Sequence, residues 1–147
     1  MASVDYYPPV GFYYSVAFSI SPNRNDIRFQ SVSGLSVELE MESYKEGGEN
    51  RFEHKLPVRT KYADLTLKRG MLVGSDVVKW CLAALQNHEF RPSDIDIILM
   101  NEKGDPLKNW HIVHAIPKKW QISDLNSGEN AIVVETIEFA YRYFNAI

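Results

Sequence analysis

Gly11–Ile20 reads GFYYSVAFSI. Phe12, Tyr14, Val16, Phe18 and Ile20 fall on one side of an extended chain, and Tyr13, Ser15, Ala17 and Ser19 fall on the other. Successive side chains of a strand point to opposite faces, so this strict period of two, carried by aromatic and β-branched residues, marks a half-buried β-strand. Ser21-Pro22-Asn23 ends it, because proline has no N–H to give to a ladder.

The same rhythm recurs along the chain. Ile27–Glu42 reads as one long strand, with Leu35, Val37, Leu39 and Met41 expected to face the core and Ser36, Glu38, Glu40 and Glu42 to face water. Gly34 marks a bulge or bend within it. Lys45–Asn50, KEGGEN, is a polar loop, and Phe52–Tyr62 reads as irregular and basic. Leu65 and Leu67 share one face of a short strand within Ala63–Arg69. Ile95–Asn101 and Leu107–Ile116 form a hairpin across Asn101-Glu102-Lys103-Gly104-Asp105-Pro106; Pro117 interrupts, and Lys118–Ile122 pairs briefly. Ile132–Phe144 is a long final strand.

One segment has a different period. In Ser75–Asn87, SDVVKWCLAALQN, residues Val77, Trp80, Cys81, Ala84 and Leu85 recur at helical spacing, Ser75 is an N-cap and Asp76 suits the positive end of the helix dipole. About seven strands and one helix predict a mainly β protein: a small antiparallel β-barrel or sandwich with one flanking α-helix, in a single domain over residues 1–147. Trp80, on the buried stripe, and Trp110 and Trp120, in the strands beyond, are the candidate core anchors.

Composition excludes several functions. The 147 residues are 45% hydrophobic and 24% charged, ample for one core, and no apolar run approaches the roughly 20 residues of a spanning helix. Met1–Val10 lacks a basic region followed by an apolar stretch, so no secretory signal is expected there. A net charge of −3 argues against a general or sequence-specific nucleic-acid binder, which needs a basic face. The lone Cys81 excludes an intrachain disulfide and a thiolate zinc cluster, in keeping with a reducing cytosol. His111 and His114, three apart in a strand, point to opposite faces and cannot chelate one metal. KEGGEN and RGMLVGS both lack the spacing of a nucleotide loop. No catalytic, metal or cofactor constellation is expected, and the chain reads as a non-enzyme that needs no cofactor.

Five segments together resemble the tail tube proteins of T4-like phages. They are Phe12-Tyr13-Tyr14-Ser15-Val16; Phe29-Gln30-Ser31-Val32-Ser33-Gly34-Leu35; Leu67-Lys68-Arg69-Gly70 before the Trp80 helix; the Asn101–Pro106 hairpin with Trp110 and Ala115-Ile116-Pro117-Lys118-Lys119-Trp120; and the closing Val134-Glu135-Thr136-Ile137-Glu138-Phe139-Ala140-Tyr141. The resemblance covers nearly the whole chain. It implies a ring-forming β-barrel subunit, a homo-hexamer stacked into the hollow inner tube of a contractile injection system. Its implied partners are the contractile sheath protein, baseplate and spike proteins, and payload proteins in the lumen, with no membrane. The implied life cycle is assembly in the cytoplasm and then service in a phage tail or a released injection particle. A baseplate tube-initiator that joins spike to tube is the near alternative. A monomeric ligand-binding β-barrel is the alternative of another class, disfavoured by the bulky face of the first strand.

Within that frame two surfaces stand out. Glu38, Glu40 and Glu42 are candidates to line the lumen as rings of like charge, or else face the sheath. The loop Tyr44, Lys45, Glu46, Gly47, Gly48, Glu49, Asn50 and Arg51 is a candidate inter-subunit contact, because a long polar excursion is costly to order without a neighbour.

Overall fold

The structure is a computed structural model that describes residues 13–20, 29–44, 47–48, 53–128 and 132–146. Nine strands and one helix lie among them: β1 (Tyr13–Phe18), β2 (Ser31–Ser33), β3 (Val37–Tyr44), β4 (His54–Tyr62), β5 (Leu65–Gly70), α1 (Asp76–Asn87), β6 (Ser93–Met100), β7 (Pro106–Ile122), β8 (Val134–Ala140) and β9 (Tyr143–Ala146). Seven strands form one antiparallel sheet in the order β1-β6-β7-β8-β5-β2, with β9 beside β7; β3 and β4 pair only with each other. The expected class, mainly β with one flanking helix, is the observed one.

The core is built from the alternating sets. Val16, Phe18, Leu65, Leu67, Ile95, Ile97, Ile112, Ala115, Ile137 and Phe139 are all buried, and α1 closes over them with Val77, Trp80, Cys81 and Ala84. Trp80 stacks on Phe139 at 5.8 Å between centroids and meets Phe18 edge-on at 6.0 Å. Its indole N–H donates to the Arg91 carbonyl at 2.7 Å, so the one polar atom of the ring is satisfied. Trp110 and Trp120 are half-buried and pack against the margin of this core.

The start of α1 is fastened to the sheet by charge. Ser75 Oγ accepts from the Val78 amide at 3.2 Å, as an N-cap does, and also from Arg69 Nη2 at 2.8 Å. Arg69 points inward from β5, lies over the Phe29 ring at 4.6 Å and faces Glu135 of β8, its register partner, at 3.8 Å. Both charges are buried, so removing either partner would strand the other away from water.

Strand β7 turns the corner of the molecule. Its first half pairs with β6 and β9, and its second half with β8. Between them His114 takes a left-handed φ of 55°, and its amide donates to Asp94 Oδ1 at 3.0 Å. Pro117 does not interrupt the strand as expected. It sits at a register shift between Pro117 and Lys119, where a missing N–H is tolerated.

Three further expectations are corrected. Ile27–Glu42 is not one strand: β2 and β3 are separated at Gly34–Ser36. The stretch expected to be irregular and basic, Phe52–Tyr62, contains strand β4 over His54–Tyr62, paired with β3 through one register shift. The final strand breaks at Tyr141–Arg142, and β9 folds back so that Phe144 lies opposite Ile112.

Beside the corner, His111 of β7 is set between two carboxylates of β6. Its Nδ1 is 2.7 Å from Asp96 Oδ1 and its Nε2 3.5 Å from Asp94 Oδ2. A carboxylate only accepts, so the doubly protonated ring suits both neighbours. The Asp96 hydrogen bond raises the His111 pKa, burial opposes it, and the charges of Asp96 and Asp94 add to the rise.

Two outcomes follow from the core and the corner. Trp80→Ala should destabilise the fold by about 3–5 kcal/mol in denaturant unfolding, as buried aromatic truncations do. His111 has a raised folded-state pKa, so its stabilisation is complete below the ordinary value of about 6.5 and is lost as pH climbs through the raised one. The melting temperature of the wild type should therefore fall toward that of His111→Gln as pH rises above about 6.5, and parallel curves would contradict the clamp.

Candidate assembly surface

The surface that sets this molecule apart is the β3–β4 hairpin, an arm with no third strand among the described residues. It grows out of the barrel sheet. Ser33 of β2 faces Thr66 of β5, and with the same register Val37 of β3 faces Tyr62 of β4. The ribbon kinks where the two parts join. Gly34 there has φ 95°, and a Cβ on it would collide with the Asp64 carbonyl oxygen. Only glycine lets the two chains pass so closely in this conformation.

The root is held by aromatic and ionic contacts. Tyr62 meets Phe144 at 5.1 Å and Tyr141 at 5.9 Å, both edge-on. Lys118 Nζ donates to Asp64 Oδ2 at 2.6 Å, and this hydrogen bond, with the Asp64 charge, raises the Lys118 pKa. The Tyr141 phenol is pushed up to about 12, first by burial and then by the charges of Asp64 and Tyr62.

Beyond the root the arm has two unlike faces. Cross-strand partners share a face. One face carries Val37 with Tyr62, Leu39 with Thr60, Met41 with Pro57 and, at its far end, Ser43 with Lys55. The other carries Glu38 with Lys61, Glu40 with Arg59, Glu42 with Leu56, and Tyr44 with His54. The register shifts between Glu40 and Met41, which makes room for Val58 and places Pro57 at an irregularity. At the last rung the Tyr44 and His54 rings stack at 5.1 Å.

The apolar face is not in the core. Val37, Leu39 and Met41 are each 53% exposed; Val58 at the register shift, and Leu56 across from Glu42 on the other face, are exposed as well. This corrects the expectation that the Leu35–Met41 stripe is covered by the protein's own core: Leu35 is half-buried against it, and the three residues beyond are bare. Glu38, Glu40 and Glu42 do project together from the opposite face, but not as an unmixed acidic stripe. Arg59 Nε lies 3.2 Å from Glu40 Oε2, and Lys61 stands across from Glu38.

Of the expected inter-subunit loop, Tyr44, Gly47 and Gly48 are exposed at the arm's far end. Lys45, Glu46, Glu49, Asn50 and Arg51 lie outside the described residues. The sequence reading missed Asp64, Lys118, Tyr141 and Phe144 as supports of the arm. The apolar residues Leu56 and Val58 within a basic stretch were the available signal that a strand runs there.

The described residues thus combine an antiparallel sheet, a capped helix and a two-faced hairpin braced at its root. The chain belongs to the family of T4-like virus tail tube protein gp19, whose sequence model matches residues 10–145. That family is one of structural tube proteins, not enzymes.

Solved structures agree. A chain of the anti-feeding prophage (AFP) baseplate, from a six-fold symmetrised cryo-EM structure, is 31% identical, covers 100% of this chain and 97% of its own, and superposes with a TM-score of 0.82. A chain of the PVC sheath–tube complex, an extracellular contractile injection system in its extended state, is 24% identical over 97% of this chain and 93% of its own, with a TM-score of 0.80. Hcp1 from Flavobacterium johnsoniae shares the fold at a TM-score of 0.59 and 15% identity, covering 91% of this chain and 94% of that one. No curated protein matches the chain.

Proposed function

We propose that this chain is a tube subunit of a contractile injection system, that six copies close into a ring, and that rings stack into a hollow conduit. The observation that carries this reading is the uncovered apolar face of the β3–β4 arm on a member of the tail tube family. Exposed apolar surface on a free-standing ribbon calls for a partner, and a second copy is the partner at hand. The six-fold symmetry of the assembly that contains the 31%-identical chain supports the ring.

The loop Tyr44–Arg51 belongs to the contact between copies. The Glu38, Glu40 and Glu42 face lines the lumen. There Arg59 and Lys61 make it a mixed-charge wall, to which payload of either sign adheres weakly. The sheath surrounds the tube and the baseplate nucleates it. Assembly takes place in the cytoplasm, where the buried thiol of Cys81 stays reduced, before the particle acts outside the cell.

A second reading, the tube-initiator of the baseplate, is favoured by one observation. Identity is 31% to a chain of the AFP baseplate and 24% to a chain of the PVC sheath–tube complex. Negative-stain imaging of the purified protein at high concentration separates the two. A main tube subunit grows into tubes of constant bore, whereas an initiator stops at single rings. Leu39→Asp with Met41→Asp should keep the melting temperature, since both side chains are exposed, yet abolish assembly. Assembly at the wild-type level would rule out the arm as the contact.

A further inference from the structure

One carboxylate at the corner of β7 serves two partners. Asp94 Oδ1 accepts from the His114 amide at 3.0 Å, and Asp94 Oδ2 lies 3.5 Å from His111 Nε2. His114 is held there in the left-handed region, which is costly for residues other than glycine. Asp94 is itself fixed to β1: its amide donates to Ser19 Oγ and its carbonyl accepts from the Ser19 amide, each at 3.0 Å. On the other side of the ring, His111 Nδ1 is 2.7 Å from Asp96 Oδ1. The surroundings of this group are otherwise uncharged among the described residues. β1 sets Ala17 across from Asp96, and β9 sets Asn145 across from His111 and Tyr143 across from Val113. α1 packs on the core side, where Ile112 points. His114 follows at the corner and Arg142 precedes β9, both exposed. The charges that act on the ring are those of Asp96 and Asp94.

We propose that His111, Asp94 and Asp96 form a proton-operated latch: the imidazolium holds both carboxylates, and the neutral ring keeps Asp96, lets go of Asp94 and so loosens the His114 corner. The two distances decide which bond survives. A neutral imidazole has one N–H and one bare nitrogen, and a carboxylate only accepts. The N–H stays on Nδ1, where the 2.7 Å contact with Asp96 is the stronger, and bare Nε2 is left facing an oxygen of Asp94 across 3.5 Å. Two electron-rich atoms repel, Asp94 turns aside, and the His114 amide loses the acceptor that holds its left-handed turn. The direction follows from the neighbours. The Asp96 hydrogen bond and the two negative charges raise the His111 pKa against the opposing effect of burial. The latch is therefore shut below about pH 6.5 and opens as pH climbs through the raised value. The loosened turn adjoins β9. The Val113 carbonyl accepts from the Arg142 amide, Val113 pairs with Tyr143, and the next rung is Ile112 with Phe144. Phe144 meets Tyr62 at the arm's root at 5.1 Å. The latch thus sits two rungs from a contact that braces the arm, and it belongs to the single chain, whatever that chain assembles into.

NMR titration of the disassembled full chain tests the latch. The 15N shifts of the His111 ring should show both nitrogens protonated at acid pH and the Nδ1–H tautomer once the ring is neutral. The 13Cα shift of His114 should leave its left-handed value at the same midpoint. Asp94→Asn separates the latch from a merely structural pair. Its amide oxygen still accepts from the His114 amide, and its NH2 can donate to bare Nε2. In that variant His111 should still titrate against Asp96, while the His114 shift stays put at every pH. A neutral ring with its proton on Nε2 would overturn the latch. So would a wild-type His114 shift that is flat through the His111 midpoint, or a His114 transition that persists in Asp94→Asn. Should the variant fail to fold, the wild-type tautomer and the His114 titration decide the matter by themselves.

Discussion

A two-stranded ribbon cannot cover its own apolar face. Each strand shows one face to one side, and with no third layer that face meets water unless something else is laid on it. In this protein the ribbon is β3–β4, and three rungs of it, Val37–Tyr62, Leu39–Thr60 and Met41–Pro57, present apolar groups. The rest of the chain reads as the device that holds the ribbon out. The barrel fixes β2 and β5, their register passes through the kink at Gly34 into the arm, and Tyr62, Tyr141, Phe144 and the Lys118–Asp64 pair brace the root. An arm so rigidly based loses little conformational entropy when it docks.

The barrel itself was largely legible in the sequence, because its elements bury one face and obey one period. β1, β6 and α1 lie close to where alternation and helical spacing place them, and Ser75 is the cap its position suggests. Alternation says that a face is buried, not what buries it. The Val37–Met41 stripe has the same pattern whether its cover is the protein's own core or another copy, so its exposure could not be read from the chain. β4 was hidden for a different reason. The register shift and Pro57 break the period of two, and its basic residues resemble a loop until they are seen opposite Glu38 and Glu40. The break after β8 was masked because Tyr141 and Tyr143 prolong the alternation past the turn. Nothing in the alternation pairs Arg69 with Glu135; only the pairing of β5 with β8 sets one against the other.

The hidden strand also changes the electrostatics of the arm. Taken alone, Glu38, Glu40 and Glu42 form a stripe of like charge. With β4 in place, two of the three have a cation opposite, and exposed pairs of this kind contribute modestly to stability and much more to the character of the surface. A face of alternating charges repels neither sign strongly, although Leu56 and Tyr44 add exposed apolar area at its far end. The same ribbon therefore has two unlike faces: one with three apolar rungs, and one on which charges of both signs stand across from each other.

The central claim is that the apolar face of β3–β4 is bare in the isolated subunit and covered in the assembly. Hydrogen–deuterium exchange, followed peptide by peptide in the disassembled and assembled protein, tests it most directly. The account predicts that amides of Val37–Tyr44 and His54–Tyr62 exchange far faster than those of β6 and β8 in the isolated subunit and become strongly protected on assembly, while the barrel strands change little. Equal protection of the arm in both states would contradict it.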